Sequence, residues 1–545
     1  MSKKFLWTLI IIGFSVYFIS LFGQFLWDDE EQIVNNQIVH TIGNILSLFS
    51  GSTFNTGGKN TLHGIYYKPF LSTCYSIIYS LFGGKPFYFH LFQVSLHIVN
   101  SIFIYLILNF LFSEKLSIKK TLSEYSSFLL SIIFLVHPIN TESVAYISAL
   151  QDVLYFFWGI LGLTLVIFKD LIKIKDHYYY LVISLCLLFS LLSKESGVLF
   201  FFIVLIYTFI YQKKNLRMLC ISIMSVFGIY LFLRLIIAKI PINGSEGISP
   251  IMRIGICERL LCIPKIIFFY IKTYFYPGDL MIAQHWVVND LNFKDFYLPL
   301  IICISLFTLI TLFAYILYRK DKKLWKLYLF FVLWFMIGLA LHIQIFPLDM
   351  TVADRWFYFP QVGLLGVIFT IVYYFYKRRI EELNFKMILF ATILAISTIL
   401  SIRTFSRTLD WSSGFTLYKN DIEINPEAFD LTNNLGVEYF RKDEIDEAQE
   451  YFYKSTEIAP YWWTNWNNLG VVYENKGDLE KAEKYYRKSI GNGDYFLAYE
   501  NLAGILYKQE KYGELKEFLE KDALLKFPYN RNLNLIYIEI EKHGK

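Results

Sequence analysis

The sequence predicts an all-α protein in two parts: a polytopic bundle of transmembrane helices, then a solenoid of short helical repeats. Three observations carry this. Hydrophobic residues make up 55% of the chain and charged residues only 18%, against about 25% charged in an ordinary soluble domain. The deficit is confined to the part before about residue 402, where charges sit in short clusters between long apolar runs. Beyond Arg403 the composition turns soluble, and a three-residue motif returns at nearly constant spacing. Composition therefore places a membrane domain at 1–402 and a soluble domain at 403–545.

A helix needs about 17–25 residues to cross a bilayer. Apolar runs of that length lie near 5–26, 88–112, 124–148, 150–168, 178–194, 196–212, 217–238, 296–318, 325–345, 356–376 and 385–402. The first follows Lys3 and Lys4 and precedes no small-x-small cleavage signal, so it reads as an uncleaved anchor. The run 256–276 is set apart. Glu258, Lys265 and Lys272 recur every seventh residue along one face and Pro264 sits mid-run, as in an amphipathic helix lying in the interface. Basic residues support that exclusion. With Lys3 and Lys4 inside, the clusters at Lys115–Lys120, Lys169–Lys175, Lys213–Arg217, Arg319–Lys323 and Lys377–Arg379 all fall inside only if 256–276 does not cross. The result is about eleven spans, a cytoplasmic N-terminus and an extracytoplasmic C-terminal domain.

A net charge of +5 gives no reason to expect a nucleic-acid partner. The six cysteines form no C-x-x-C pair and avoid the C-terminal domain, so neither a disulfide framework nor a zinc cluster is encoded.

The recurring motif is Asn434-Leu435-Gly436, then Asn468-Leu469-Gly470, then Asn501-Leu502-Ala503. The spacing of about 34 residues is that of tetratricopeptide repeats. Leu435, Gly436, Tyr439, Ala448, Phe452 and Pro460 fill the pattern in one repeat; Trp466, Leu469, Gly470, Tyr473, Ala482 and Tyr486 fill it in the next. Small residues let paired helices approach, and large ones fill the gap between repeats. Residues 417–426 suit the second helix of a truncated repeat, and 496–528 a degenerate third. Such arrays bind peptides in a concave groove, and Trp462, Trp463 and Trp466 are the candidate contacts; a packing or dimerising spacer is the alternative.

Several polar motifs fall on the outer side of this topology. They are Trp27-Asp28-Asp29-Glu30-Glu31, then His137-Pro138-Ile139-Asn140-Thr141-Glu142 with Asp152 beyond it, then Ser193-Lys194-Glu195-Ser196, then Asp349 and Ala353-Asp354-Arg355-Trp356. Ionisable groups at the bilayer edge are costly and point to function. Together they suggest one outward-facing cavity. Arg355, a cation beside aromatics at the membrane edge, suits a lipid phosphate, which arginine grips with two N–H groups. Each motif also has a plainer reading. The acids after the first span can be a solvated patch, His137 can cap a turn, Lys194 and Glu195 can pair with each other, and His90 and His97 can link helices.

An acidic pair after the first span, Tyr67-Lys68-Pro69-Phe70, His90 and His97, the three later motifs and the tetratricopeptide repeats occur in one order. In that order they resemble the transmembrane and tetratricopeptide-repeat protein O-mannosyltransferases and their prokaryotic relatives, over about residues 5–530. The resemblance implies a membrane glycosyltransferase of the GT-C class. Such enzymes transfer a sugar, classically mannose, with inversion from a polyprenyl-phosphate carrier to a Ser or Thr hydroxyl of an acceptor protein. It implies Asp28 as catalytic base with Asp29 shaping the pocket, and Arg355, Lys194, Lys68 and His137 as donor-phosphate contacts. Asp152, Glu195, Glu142 and Asp354 support them. A divalent cation at Asp28 and Asp29 is neither required nor excluded, since the class has members of both kinds. Two positions depart from the family: Lys68 stands where arginine is frequent, and Ala149-Leu150-Gln151-Asp152 keeps an acid but has Leu150 in place of a cation.

Competing classes fit less well. A non-catalytic scaffold displaying its repeats needs no acidic pair or outer cations. A polysaccharide ligase or polymerase relies on a large outer loop with paired basic residues. A transporter would carry its polar groups midway along its helices. Richness in Ile, Lys, Asn and Phe points to an AT-rich genome, and few repeats with a short chain point to a bacterial plasma membrane rather than an endoplasmic reticulum.

Overall fold

The computed structural model describes residues 3–54, 66–241, 247–377 and 383–543. Among these the regular secondary structure is helical, one isolated antiparallel bridge between Gln284 and Val352 aside. Seven helices are long and apolar enough to cross a membrane: Pro86–Lys115, Ile147–Ile167, Asp176–Ser193, Lys213–Ile237, Phe293–Lys320, Lys322–Ala340 and Met387–Asp410. An eighth candidate is the pair Lys120–Val136 and Pro138–Ala145, bent by 50°. The run expected at 124–148 is therefore broken rather than straight. Proline lacks an N–H and disfavours helical geometry in the residue before it, and His137 is accordingly extended, with ψ 127°.

Other expected spans fall on shorter helices. The first helix stops at Val16 and continues as a 3-10 turn, Ile19–Phe22. The runs at 196–212 and 356–376 become Val198–Tyr211 and Pro360–Tyr376, each cut back by a polar motif or a proline at its start. Ile256–Phe275 is one continuous helix despite Pro264. It is not among the spanning candidates, and its charged side is tied to the π-helical turn Phe293–Tyr297 through Lys265–Asp295 (2.9 Å) and to a loop through Lys272–Asp279 (3.0 Å). Arg378 and Arg379 of the expected basic loop lie outside the described residues.

The chain divides into two compact units. The first comprises Met1–Gln24, Tyr67–Lys239 and Ser245–Ser412; the second comprises Phe25–Tyr66, Ile240–Gly244 and Ser413–Lys545. Helix Leu383–Asp410 runs through residue 402, so the first unit ends later than the composition shift suggests.

The first unit is centred on interlocked aromatics. Phe156 meets Phe200 and Tyr358 edge-on at 5.4 and 5.1 Å, and Phe200 meets Phe359 at 5.0 Å. Small residues make this approach possible: a Cβ on Gly159 would stand 2.0 Å from the Phe200 ring, and one on Gly363 would stand 2.4 Å from the Phe335 backbone nitrogen. Trp334 Nε1 donates to the Phe359 carbonyl at 3.1 Å. This packing fixes the segment Ala353–Pro360, which carries the site.

In the second unit the repeats are the helix pairs Phe429–Arg441 with Ile445–Ile458, Trp463–Asn475 with Leu479–Asn492, and Phe496–Lys508 with Tyr512–Phe518. Gly414–Ile424 stands before them, where a truncated repeat is expected. The recurring asparagine has a clear role. Asn468 Nδ2 donates to Asn433 Oδ1 at 2.9 Å and Asn501 Nδ2 to Asn467 Oδ1 at 3.0 Å, so each repeat is bonded to the one before.

The recurring glycine packs on the large residue of its partner helix. A Cβ on Gly470 would stand 2.4 Å from Tyr486 Cε1, and that ring is held by its hydroxyl, which donates to Glu474. Overpacking of this kind costs about 1–3 kcal/mol. We expect residues 413–545, expressed alone, to be soluble and to melt cooperatively by circular dichroism. Gly470→Ala should lower the midpoint by roughly 4–15 °C. An unchanged midpoint would contradict this packing.

Candidate functional site

In the first unit, the polar motifs converge through buried pairs. After the break at Pro138, Asn140 Nδ2 donates to the Phe134 carbonyl at 2.7 Å, and its Oδ1 accepts from Gln361 Nε2 at 2.6 Å. The turn so closed presents Glu142, which is 3% exposed. One carboxylate oxygen pairs with the Arg355 guanidinium, and the other accepts from the Arg355 backbone N–H at 2.9 Å. Glu142 therefore clamps both ends of one residue and sets the 3-10 turn Asp354–Phe357.

Asp152 lies in the first turn of Leu150–Ile167 and receives Lys194 Nζ at 2.6 Å. Its second oxygen has no hydrogen-bond partner among the described residues, although the side chain is buried. Next in sequence to Lys194, Glu195 pairs with Arg234 at 3.1 Å, and Arg234 also donates to the Tyr230 hydroxyl at 2.9 Å. Lys194 and Glu195 thus pair with other residues rather than with each other. Arg234 sits in a π-helical turn, Phe232–Ile237, a local widening frequent at functional sites.

Electrostatics joins these pairs into one network. Burial pushes Lys68 below its ordinary pKa, with Glu195, Asp349 and Asp152 opposing that shift and Lys194 adding to it. Burial also works against the Arg355 charge, but the carboxylates of Glu142, Asp349 and Asp152 outweigh it and hold the guanidinium above its ordinary pKa. His342 stacks on Trp356 at 5.0 Å and bonds the Gly338 carbonyl at 3.1 Å, closing one side of the turn. Chemically, this is a largely buried cluster of four cations, each near a carboxylate, with Glu195 at its exposed edge. An ammonium has three N–H donors and a guanidinium five, so the carboxylates do not use up the donors, and an anion can bind the same cations.

The first unit brings together Lys68, Glu142, Asp152, Lys194, Glu195 and Arg355, with Asp354 buried in the same turn as Arg355. His137 has another task. Its Nδ1 accepts from the Ile139 N–H at 3.2 Å, and its Nε2 meets the Tyr274 carbonyl at 2.9 Å. With both nitrogens engaged it caps the turn, and no ring nitrogen is left for a phosphate. His97 links helices, with Nδ1 2.7 Å from the Tyr358 hydroxyl and Nε2 2.9 Å from the Leu135 carbonyl. Arg234 escaped the sequence reading. Its signal was there: an arginine deep inside the apolar run 217–238, whose other arginine, Arg217, stands at its edge.

Asp28 and Asp29 belong to the second unit. Asp29 is 1% exposed, and its Oδ2 accepts the Leu26 N–H at 2.9 Å, closing the turn that leaves Asp28 half-buried. Among the three tryptophans, Trp466 is a core residue rather than a groove contact. It is 7% exposed, stacks on Tyr485 at 6.0 Å and gives its Nε1–H to the Pro460 carbonyl. Trp462 packs edge-on to Phe429 at 5.0 Å. A Cβ on Gly493 would stand 2.4 Å from Trp463, so that ring packs against the end of the next helix. Among the described residues no group of three His, Cys, Asp or Glu is placed to hold a metal ion.

Comparison with known proteins follows the same lines. The tetratricopeptide-repeat family model matches residues 430–461 and 464–491. The chain is 22% identical over 492 residues to protein O-mannosyl-transferase TMTC3 of Homo sapiens, covering 83% of this chain and 51% of that protein. It is 23% identical over 491 residues to protein O-mannosyl-transferase F38B6.6 of Caenorhabditis elegans, covering 83% and 62%. A shorter match, 32% over 137 residues, is to protein O-mannosyl-transferase TMTC1 of Homo sapiens, covering 25% and 14%. The chain spans about half the length of the first of these relatives.

Proposed function

Taking this chain as a relative of the protein O-mannosyl-transferases, we propose that it is a membrane glycosyltransferase. It moves mannose from a polyprenyl-phosphate carrier to Ser or Thr hydroxyls of extracytoplasmic proteins, with its repeats facing out of a bacterial plasma membrane. The observation that carries this reading is the cation cluster of Lys68, Arg234 and Arg355, all buried, with the partly buried Lys194. A sugar phosphate leaves as an anion, so its departure needs fixed positive charge rather than a proton. Preorganised donors aimed at developing charge are a large source of catalysis in a dry site.

The incoming hydroxyl needs the opposite help. Its proton passes to the Asp28 carboxylate as its oxygen bonds to the anomeric carbon. The bond from that carbon to the phosphate oxygen breaks, its electron pair goes to the phosphate, and the carbon inverts. Asp28 takes this role from the resemblance, and Asp29 is left to hold the turn.

The test is a transfer assay. Purified full-length protein in lipid nanodiscs receives polyprenyl-phosphate mannose and a Ser/Thr-rich peptide. A peptide gaining the mass of one hexose, bound through its hydroxyl, is expected. A peptide left unmodified by this donor and by its glucose counterpart would overturn the proposal.

A further inference from the structure

The described residues of Phe25–Tyr66 group with the repeats, not with the helices that flank them in sequence. Near the start of that segment stands Trp27-Asp28-Asp29-Glu30-Glu31, and several contacts tie that stretch down. Trp27 is left-handed at φ 48°, a conformation unfavourable for a bulky side chain, and its indole meets Tyr418 edge-on at 6.5 Å. The turn is closed twice: the Asp29 N–H donates to the Leu26 carbonyl at 2.9 Å, and the Asp29 carboxylate accepts the Leu26 N–H. Glu30 opens a π-helical turn, Glu30–Val34, and accepts Arg441 Nη2 at 2.6 Å. The other arm of the same guanidinium holds Glu438 at 2.9 Å. Arg441 is the last residue of Phe429–Arg441, and Tyr418 lies in Gly414–Ile424. The acidic stretch is therefore fastened to the first two helices of the repeat domain.

Energetics says what this fastening is for. Arg441 and Glu30 are 48% and 32% exposed, and ion pairs so placed add little to stability. A strained Trp27 is not a stabilising feature either; strain of this kind persists where the surroundings impose a geometry. The forked guanidinium spans Glu438 and Glu30 with directed bonds, which a lysine would not reproduce. The contact is suited to setting the position of the turn rather than to holding the unit together.

We infer that the repeat domain is the platform for the acidic turn and that Arg441 is a positioning residue for Asp28, acting through Glu30. The positioning role rests on Asp28 as the base in the proposed function; the docking does not. The repeats thus serve the chemical step as well as any binding of the acceptor. Misplacement of a reacting group by about 1 Å can cost about 10²-fold in rate.

The experiment uses the full chain in nanodiscs and two readouts. Hydrogen–deuterium exchange followed by mass spectrometry reports the amides of residues 28–34 without reference to activity. Arg441→Ala should speed their exchange while the thermal midpoint stays within about 2 °C, as expected of an exposed pair. In the transfer assay the same variant should lose at least about tenfold in kcat with the acceptor KM nearly unchanged. Arg441→Glu should be worse, and Arg441→Glu combined with Glu30→Arg should recover most of the loss. Unchanged exchange in Arg441→Ala would overturn the docking. Faster exchange with unaltered kcat, or a charge swap that recovers nothing, would overturn the positioning role. If the wild type transfers no sugar, the proposed function and the positioning role fall together, while the exchange data still decide the docking.

Discussion

Asp28→Asn is expected to abolish sugar transfer while leaving the protein folded in the membrane. A hydroxyl is a poor nucleophile until a nearby base takes its proton, and general-base assistance is typically worth about 10²–10⁴ in rate. Asparagine keeps the size of the side chain and an oxygen acceptor but cannot accept a proton at neutral pH. Asp28 is half-buried, and the carboxylate that accepts the Leu26 N–H in this turn belongs to Asp29. The substitution should therefore spare the turn. Asp29→Asn retains an oxygen for the Leu26 N–H and should act more weakly. The measurement is the transfer rate at equal amounts of monodisperse protein. Full activity of Asp28→Asn would remove it as the base and turn attention to Asp29, Asp152 and Glu195.

The second large effect is expected at Arg355 and Glu142. Both side chains are buried and pair mainly with each other. Removing one partner of a buried ion pair leaves an uncompensated charge and typically costs about 3–5 kcal/mol. Glu142→Ala should therefore lower the thermal midpoint sharply, because the Arg355 backbone N–H loses its acceptor as well. Arg355→Ala should lower it too and should raise the KM for the lipid-linked donor. A double variant separates the two contributions. Glu142→Gln with Arg355→Met removes both charges and keeps most of the volume, so stability should largely return. Donor affinity should not, since no cation remains at that position. A double variant that recovers donor KM would show that Arg355 serves the fold and not the phosphate.

Much of this was legible in sequence because it depends on local pattern. The repeat period needs only residues that touch within one helix pair, and the packing of Gly436 and Gly470 on Phe452 and Tyr486 follows the offsets read from the chain. The polar motifs were visible because charge at the edge of an apolar run is costly wherever it occurs. The pairings were not. Glu142 and Arg355 are 213 positions apart, and no local rule joins them. Arg234 was hidden because a single charge hardly lowers the mean hydropathy of a long run. Trp466 misled because an aromatic near a groove and one within the core have the same spacing. Its buried ring and its bond to Pro460 decide the matter. Phe25–Tyr66 gave no composition signal for the company it keeps, since its partners lie at the other end of the chain.

That last arrangement has a consequence for biogenesis. Glu30 and Arg441 are separated by 411 positions. At about 5–20 residues per second, the ribosome makes the acidic segment on the order of 20–80 s before the arginine that receives it. Closing so long a loop adds little thermodynamic cost, since that cost grows only logarithmically with length. The delay is kinetic. The segment must wait while the intervening helices are made and inserted, and it reaches its final conformation only once the first two helices of the repeat domain have been delivered. A nascent chain arrested before Arg441 would thus hold its membrane helices and its acids, yet lack the surface against which those acids are set.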